Sequence, residues 1–294
     1  LAGEVPAEAL PIHPGAWYET QAIDLVAGAE AAEIDPGTHS VRLSDGTWEA
    51  YDRLVITAGA HPFVPPIPGS RREGVTALRT IQDADRILGA VGDGVRCVCL
   101  GGGILGLETA GALARRGAQV TILEGYAWLL ARQLCEGAGR LLARLVGALG
   151  IDVRLGVRVQ EILGDERVRS VLLEGGDEVR ADLVVITTGV RPNSHLARSA
   201  GLGVNQGIIV DDHMKTSAPD ILAAGDVAEH RGTVYGLWAP AQFQGSIAGM
   251  NAAGLSVEFG GIPRSNTLKV LGIDLFSVGL VEPQDASFRV VHHA

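Results

Sequence analysis

The fold is decided by residues 95–124, whose sequence is VRCVCLGGGILGLETAGALARRGAQVTILE. The apolar run Val95–Leu100 predicts a buried strand, and leucines and alanines at helical spacing predict a helix over Leu107–Arg116. Gly117 ends that helix, and Gln119–Leu123 predicts a second strand. A strand, a glycine loop, a helix and a second strand in this order are typical of a βαβ unit in a parallel sheet.

The loop between the first strand and the helix has the spacing G-x-G-x-x-G, at Gly101, Gly103 and Gly106. The first glycine permits a tight turn, the second lets a pyrophosphate approach backbone amides, and the third lets helix and strand pack closely. Glu124, at the end of the next strand, can accept hydrogen bonds from a ribose hydroxyl and would repel a 2′-phosphate, which favours NADH over NADPH. We therefore predict an NADH site at these residues and at Leu105; a glycine-rich turn without a ligand is the alternative.

The composition bounds the class of protein. A length of 294 residues corresponds to about two domains. The formal net charge of −10 argues against nucleic acid and an anionic membrane as partners, and 47% hydrophobic residues exclude intrinsic disorder. No apolar run reaches the length of a membrane-spanning helix. The three cysteines form no disulfide framework, so we expect a reducing compartment, the cytoplasm.

Two of the cysteines, Cys97 and Cys99, lie two residues apart. On a strand that spacing places both on one face. We predict that they are buried, small hydrophobic residues, with a redox pair or a metal site as the alternative. Cys135 lies near a helix start and is predicted to be incidental, and no metal site is predicted.

The chain contains an internal repeat. Residues 23–62 align without a gap on residues 153–192, 130 positions later, and we call these segments the first repeat and the second repeat. The matched pairs are Gly46 with Gly176, Asp52 with Asp182, Thr57 with Thr187, Gly59 with Gly189, and Pro62 with Pro192. Each repeat is predicted to form short alternating strands, then a buried apolar strand that ends at a glycine turn.

The two repeats differ in what precedes them. Residues 95–150 come before the second repeat and are predicted to begin a βαβ unit. The counterpart of residues 95–130 for the first repeat would lie before Leu1. We therefore expect the given sequence to lack about 35 residues of the first unit.

A second nucleotide signature follows the repeats. The apolar stretch Ile221–Ala224 predicts a strand, and it ends in Gly225-Asp226. An acid after a glycine at a strand end can bind a sugar hydroxyl where the backbone lies close. By itself this pattern is equally typical of an ordinary strand-to-helix turn.

Four motifs in this order resemble the pyridine nucleotide-disulfide oxidoreductase superfamily, flavoproteins with two dinucleotide-binding domains. They are Thr57-Ala58-Gly59 with Pro62, the loop Gly101–Gly106 with Glu108, Thr188-Gly189 with Arg191-Pro192, and Thr216–Asp226. Within the superfamily, the chain is similar to the NADH:rubredoxin reductase and nitrite reductase flavoprotein branch. That finer resemblance is carried by Arg132-Gln133-Leu134, Gly261-Ile262-Pro263 and Leu268–Asp274.

The resemblance implies an architecture. It implies an α/β fold with two Rossmann-like dinucleotide-binding domains, each a three-layer ββα arrangement, with the NADH domain inserted in the FAD domain. The implied FAD-binding domain is discontinuous, covers residues 1–78 and 197–258, and lacks its first βαβ unit. The NADH-binding domain covers residues 79–196, and residues 259–294 start a C-terminal interface domain.

The resemblance also implies site residues. Those near the flavin would be Thr57, Ala58, Gly59, Arg79, Gly225, Asp226, Trp238 and Ala241. Glu108, as the catalytic residue, and Ile104 would lie near the isoalloxazine ring, and Gly189 would close the NADH cleft. The alternatives are a surface acid for Glu108, a surface ion pair for Arg79 and a core residue for Trp238. His61 and His230 are predicted to be surface residues.

The implied activity is hydride transfer from NADH to FAD, followed by electron transfer to a protein or small acceptor. A rubredoxin-like protein and a nitrite reductase component are the candidate protein acceptors, and a homodimer or a larger complex is compatible with them. The alternative is an NADH-binding fragment or subunit without independent turnover.

Overall fold

The structure, a computed structural model, describes residues 6, 9–263, 265–279, 281 and 287, without the side chains of residues 266–270. Its α-helices are α1 (Gly15–Thr20), α2 (Ile81–Ala90), α3 (Ile104–Ala114), α4 (Glu136–Ala148), α5 (His195–Ser199) and α6 (Trp238–Ala252). Its strands are β1 (Ala31–Asp35), β2 (Ser40–Leu43), β3 (Trp48–Ala50), β4 (Leu54–Ile56), β5 (Ala60–Pro62), β6 (Val75–Ala77), β7 (Arg96–Leu100), β8 (Gln119–Glu124), β9 (Asp152–Leu155), β10 (Val159–Gly164), β11 (Val168–Leu173), β12 (Glu178–Arg180), β13 (Leu183–Ile186), β14 (Val190–Pro192), β15 (Ile208–Val210), β16 (Ile221–Ala223), β17 (Ala228–His230), β18 (Ser265–Val270) and β19 (Ile273–Val278). Within the described residues, none of the helices has the length and apolar character needed to span a bilayer.

The chain divides into two compact units. We call Pro62–Gly189, with the described residues from Pro263 onward, the central unit, and Pro6–His61 with Val190–Ile262 the split unit. The unit boundaries therefore differ from the expected domain boundaries after residues 78 and 196, and the residues from Pro263 join the central unit. One reason is that β6 pairs with β13, which brings the segment before residue 79 into the central sheet. The assignment of FAD and NADH to these units stays a prediction.

The central unit is built around a five-stranded sheet in the order β6-β13-β7-β8-β9, in which all neighbours are parallel. Along β7, Cys97 and Cys99 face one hydrophobic core, and Val98 and Leu100 face another. This alternation confirms that the two cysteines share a face and are buried. Burial raises the pKa of Cys97 to about 12 and also raises the pKa of Cys99, so neither thiol is a nucleophile near neutral pH.

The central unit has the three layers that the family resemblance implies. On one face of the sheet, the core contains side chains of α3 and α4, such as Leu107 and Leu142. On the other face, it contains side chains of the antiparallel sheet β10-β11-β12, such as Val171 and Val179. Helices, parallel sheet and antiparallel sheet together form the ββα arrangement of a dinucleotide-binding domain.

Helix α3 begins at Ile104 and ends at Ala114, earlier at both ends than the predicted Leu107–Arg116. Gly103 is the N-cap, with extended backbone, and Gly106 lies inside the first turn instead of before the helix. The helix can start there because residue 106 is a glycine. A Cβ at that position would overlap the carbonyl oxygen of Gly101. Glu108 consequently lies in the second turn, not the first.

The internal repeat is present in the structure. Strands β3 and β12, and strands β5 and β14, begin and end at positions that are 130 residues apart. The antiparallel sheet β1-β2-β3 therefore corresponds to β10-β11-β12, and strand β4 corresponds to β13. The predicted order of short strands, an apolar strand and a glycine turn is confirmed for both repeats, but the apolar strand is fully buried only in the second repeat, since Leu54 and Val55 of β4 are half-buried.

The split unit has its own hydrophobic core. Strand β4 pairs in parallel with β16, and β15 pairs in parallel with β17. Helix α6 contributes Ile247 and Ala248 to this core, beside the fully buried Ile208, Ile221 and Phe259. Because β4 and β16 are parallel neighbours, the residues that follow them lie at the same edge of the sheet.

A hairpin of β18 and β19 packs on the central unit. The two strands pair antiparallel, and Leu271, Ile273 and Leu275 contact the central core. Leu271 lies against α3, where a Cβ at Gly111 would overlap its side chain. The glycine in α3 thus gives the hairpin room to approach the helix closely.

Candidate functional site

The glycine loop between β7 and α3 is fixed by the strands on both sides of it. Gly101 has a φ of +113°, and its N–H donates to the carbonyl oxygen of Leu123 at the end of β8, at 2.8 Å. Thr187, directly after β13, donates its hydroxyl to the carbonyl oxygens of Leu100 at 2.9 Å and Gly101 at 3.2 Å. Three neighbouring strands therefore hold the turn in place, which keeps the backbone ready for a ligand.

Glu124, at the C-terminal end of β8, also holds the loop. The residue is only 9% exposed. One carboxylate oxygen accepts the N–H of Gly102 at 2.6 Å, and the other accepts the N–H of Tyr126 at 2.8 Å. A carboxylate has further lone pairs, so the predicted bonds to ribose hydroxyls stay available. The sequence pattern identified this residue but gave no sign of its bonds to the loop.

A cleft of about 580 Å³ opens beside the loop, within the central unit. Its volume is in the range of small-molecule and cofactor sites. The predicted NADH residues that line it are Gly101, Gly103, Ile104, Leu105, Glu124 and Gly189. The remaining predicted residue, Gly106, is buried behind the loop, where it allows α3 to approach β7. Arg132 and Arg158 also line the cleft.

The N-terminus of α3 is open toward a ligand. No atom lies within 4 Å of the position that a Cβ on Gly103 would take. The first N–H groups of a helix have no partner inside the helix and carry partial positive charge. An unobstructed helix N-terminus beside a cleft fits the pyrophosphate of a dinucleotide.

Two further predicted motifs come together in the split unit. Strands β4 and β16 are parallel neighbours, and the N–H of Ala224 donates to the carbonyl oxygen of Ile56 at 3.1 Å. Thr57-Ala58-Gly59 follows β4, and Gly225-Asp226 follows β16, so both motifs lie at the carboxyl edge of these strands. Thr57 and Ala58 are exposed, and Asp226 is half-buried. This edge is where open α/β sheets bind nucleotides.

The start of α6 supports the Gly225 turn. Gly225 has a φ of +81°, and a Cβ on it would stand 3.6 Å from the methyl carbon of Ala241. The side-chain oxygen of Gln244 accepts the N–H of Gly225 at 2.9 Å. Trp238, at the first position of α6, is 65% exposed, so the alternative that it is a core residue is wrong. The turn is thus fixed from the helix side, with exposed and half-buried groups beside it that fit a sugar–phosphate chain.

Sequence reasoning missed a residue that holds the Thr57–Gly59 turn. Asn193, directly after β14, donates its side-chain N–H to the carbonyl oxygen of Ala58 at 2.7 Å and its backbone N–H to that of Gly59 at 2.9 Å. The Oδ1 of Asn193 lies 2.6 Å from the Nδ1 of His61. The signal that could have found Asn193 is the repeat, because the residue 130 positions earlier makes the equivalent backbone bond to Gly189.

Two predicted site residues lie apart from the motifs described above. Glu108 is exposed on α3 and is not one of the cleft-lining residues in the described part of the central unit. Arg79 belongs to the central unit, where its backbone N–H donates to Asp83 at the start of α2, at 3.1 Å. The flavin-binding role of Arg79 and the catalytic role of Glu108 stay predictions.

The prediction that His230 is a surface residue is wrong. His230 is 1% exposed, its ring packs edge-on against Phe259, and its Nε2 lies 2.8 Å from Asp212. Hydrogen bonds from Arg231 and His230 lower the pKa of Asp212 to about 2. The carboxylate therefore stays ionised and gives the buried imidazole a polar partner, which the local sequence did not reveal.

The central unit has a cleft at its glycine loop, and the split unit has a Gly-Asp turn at a strand end. Together these features define the class of two-domain dinucleotide-binding oxidoreductases. The chain belongs to the pyridine nucleotide-disulphide oxidoreductase family, whose sequence profile matches residues 4–245.

Individual relatives agree with this assignment. Over 280 residues, 95% of this chain and 35% of the relative, the sequence is 37% identical to a nitrite reductase [NAD(P)H] of Bacillus subtilis. Over 286 residues, 95% of this chain and 68% of the relative, it is 32% identical to a putidaredoxin reductase of Pseudomonas putida. The crystal structure of NADH:rubredoxin oxidoreductase from Clostridium acetobutylicum matches with a TM-score of 0.80 and 32% identity, covering 96% of this chain and 71% of that one. The chain spans about a third of the length of the nitrite reductases that it matches.

Proposed function

We propose that this chain is the dinucleotide-binding part of an FAD-dependent NADH:acceptor oxidoreductase, with NADH in the central unit and FAD in the split unit. The cleft at the N-terminus of α3, with Glu124 at its edge, is the observation that carries this proposal. When bound, NADH supplies a hydride and FAD accepts it, and the protein contributes binding and alignment. Relatives named nitrite reductase, putidaredoxin reductase and rubredoxin reductase support electron transfer to an acceptor.

In the central unit, each predicted residue has a defined task. The N–H groups at the start of α3 would hold the pyrophosphate, and Glu124, which also accepts the N–H of Gly102 in the glycine loop, would accept ribose hydroxyls. Ile104 and Leu105 supply apolar surface, and Gly189 borders the opening of the cleft. Glu108 is proposed as the catalytic residue beside the flavin, as the family resemblance implies.

In the split unit, Asp226 is proposed to accept hydroxyl groups of the ribityl chain, with Gly225 beside it. The turn Thr57–Gly59 would contact the flavin nucleotide with its backbone. Ala241 and Trp238 would lie along the flavin edge, because α6 begins beside the Gly225 turn. Arg79 is proposed as a further flavin contact on the strength of the family resemblance alone.

A ligand titration tests the NADH site. Gly106→Ala should abolish NADH binding measured by calorimetry, because its Cβ would overlap the carbonyl oxygen of Gly101. Gly147→Ala is the matched control, since this glycine also lies in a helix but has no atom within 4 Å of its Cβ position, and it should bind NADH normally. Normal NADH binding by Gly106→Ala would contradict the proposed site, and tighter binding of NADPH than NADH would contradict the role of Glu124.

A flavin measurement tests the oxidoreductase. Purified chain should take up FAD, and NADH added under argon should bleach the flavin absorbance. A panel of acceptors, including a rubredoxin and a nitrite-reducing component, should then reoxidise the flavin and restore its absorbance at different rates. Uptake of FAD without bleaching by NADH would contradict the proposal.

A second candidate function is an NADH-binding part of a larger assembly without turnover of its own. The observation in its favour is that the chain spans 35% of the Bacillus subtilis nitrite reductase. Under this alternative the chain binds NADH but retains no flavin, or its flavin is bleached while small acceptors react slowly.

We infer a cytoplasmic location from the chemistry of the cysteines. Cys97 and Cys99 are free and buried, and Cys135 is free as well. Free thiols are typical of proteins from reducing compartments. Fractionation of cells that express a tagged chain tests the inference, and recovery from an oxidising compartment would contradict it.

A further inference from the structure

We propose that Asn193 is a positioning residue for the flavin, acting through the Thr57–Gly59 turn, and that His61 fixes the orientation of the Asn193 side chain. The inference rests on the proposed function, because it requires FAD to bind at this turn. It adds two residues of the split unit that no motif assigns to the site.

Asn193 binds two carbonyl groups of the turn, those of Ala58 and Gly59. Its Nδ2 lies 2.7 Å from the carbonyl oxygen of Ala58, and its backbone nitrogen lies 2.9 Å from that of Gly59. In a trans peptide, the N–H points opposite to the C=O of the same peptide plane. The N–H of Gly59 shares a plane with the carbonyl of Ala58, so it points away from Asn193.

The N–H of Gly59 is available to a ligand. Within the described residues this N–H has no hydrogen-bond acceptor, and Gly59, with a φ of +65°, is half-buried beside the exposed Thr57 and Ala58. A fixed backbone donor at the carboxyl edge of parallel strands can bind a phosphate or carbonyl oxygen of a nucleotide. Asn193 thus determines the direction of a donor that faces the proposed flavin position.

The Ala58 carbonyl sets the direction of the Asn193 amide, and His61 holds the amide in that direction with a second hydrogen bond. The carbonyl of Ala58 requires a donor, so the amide nitrogen must face it and the amide oxygen must face His61. Because that oxygen can only accept, Nδ1 of His61 carries the hydrogen at a distance of 2.6 Å. The rotated amide would place an oxygen against the Ala58 carbonyl and lose that bond, and it would also require the other tautomer of His61.

The second repeat contains the equivalent backbone bond without the side-chain bond. The N–H of Phe63 donates to the carbonyl oxygen of Gly189 at 2.9 Å. The Phe63 side chain has no donor, and Thr188 instead donates its hydroxyl to the carbonyl of Phe63 at 2.7 Å. The side-chain bond to the turn is therefore specific to the split unit, where FAD is proposed to bind. If the bond served only to hold a repeated turn together, both repeats would be expected to have it.

The test compares Asn193→Ala, Asn193→Asp and His61→Ala with wild type in FAD titrations, alongside thermal midpoints measured without FAD. We expect about a tenfold weaker FAD affinity for Asn193→Ala. The loss should be larger for Asn193→Asp, because a carboxylate oxygen replaces the donor, and smaller for His61→Ala. Asn205→Ala is the matched control: its side chain donates to Glu229 in another turn of the split unit, so FAD affinity should stay unchanged.

The outcomes separate this inference from the proposed function. Wild-type affinity for FAD in both Asn193 variants would overturn the inference and leave the proposed function intact. Equal losses of FAD affinity in Asn193→Ala and Asn205→Ala, each matched by a similar fall in the thermal midpoint, would also overturn it. The role of Asn193 would then be structural. A wild-type chain that binds NADH but takes up no FAD would overturn the FAD part of the proposed function, and the inference with it.

Discussion

The apolar strand of the second repeat, β13, lies inside a sheet, whereas that of the first repeat, β4, lies at a sheet edge. Strand β13 has parallel neighbours on both sides, β6 and β7, and all its residues are buried. In the described part of the chain its counterpart β4 pairs with β16 alone, and Leu54 and Val55 are only half-buried. The same pattern of residues therefore gives different burial, because burial depends on which strands lie beside it.

The difference extends to the first residues of each repeat. Strand β9 forms at Asp152–Leu155, where it pairs with β8. The corresponding residues 22–25 form no strand, and the side chains of Ile23 and Leu25 are exposed. An apolar segment becomes a strand where a neighbour offers backbone hydrogen bonds, and its sequence alone does not suffice.

The largest expected difference between the repeats concerns a matched pair of valines. Val185 is fully buried against the helices of the central unit, whereas its counterpart Val55 is half-buried. Val185→Ala should lower the free energy of unfolding by about 2 kcal/mol, and Val55→Ala by less than half of that. Urea unfolding monitored by fluorescence measures both losses, and equal losses would show that the two strands have similar surroundings.

A smaller difference is expected for a matched pair of threonines. The Thr187 hydroxyl donates to the carbonyl oxygens of Leu100 and Gly101, whereas the Thr57 side chain is exposed. Thr187→Val keeps the shape but leaves these buried carbonyl groups with one donor fewer, so it should cost about 1 kcal/mol. Thr57→Val should stay within about 0.5 kcal/mol of wild type in the same measurement. A larger loss for Thr57→Val than for Thr187→Val would reverse the comparison.

The smallest expected difference concerns a matched pair of aspartates and depends on pH. Asp182 accepts the backbone N–H and the guanidinium of Arg96, and these bonds hold its pKa below the usual 3.8. A lowered pKa stabilises the folded state above pH 3.8, and this contribution is lost as the pH falls further. Because both side chains are 38% exposed, Asp182→Asn should cost less than about 1 kcal/mol at neutral pH.

The control for this pair is Asp52→Asn, since Asp52 is exposed. Its unfolding free energy should match wild type at neutral pH. For Asp182→Asn, the difference from wild type should shrink in urea titrations repeated below pH 3.8. A difference that persists unchanged in acid would mean that the stabilisation does not come from the ionised carboxylate.

The sequence predicted those features that depend on local spacing. The glycine loop, the buried Cys97 and Cys99, and the repeat all follow from patterns within a few residues or at a constant offset. Prediction from the sequence failed where a residue's hydrogen-bond partner lies far away along the chain. The burial of His230 depends on Asp212, and the role of Asn193 depends on a carbonyl group 135 positions away. Hydrogen bonds between distant segments leave no periodic signal in a single sequence.

The hydrogen bonds that hold the two glycine turns also determine the order in which these turns can form during synthesis on the ribosome. The chain emerges from its N-terminus, so the turn at Ala58 must wait for Asn193, which is synthesised 135 residues later. The segment Pro62–Gly189, in contrast, is continuous and contains both Phe63 and its partner Gly189. The turn of the central unit can therefore form once Gly189 has been synthesised, whereas the Thr57–Gly59 turn of the split unit, although synthesised earlier, must wait for Asn193.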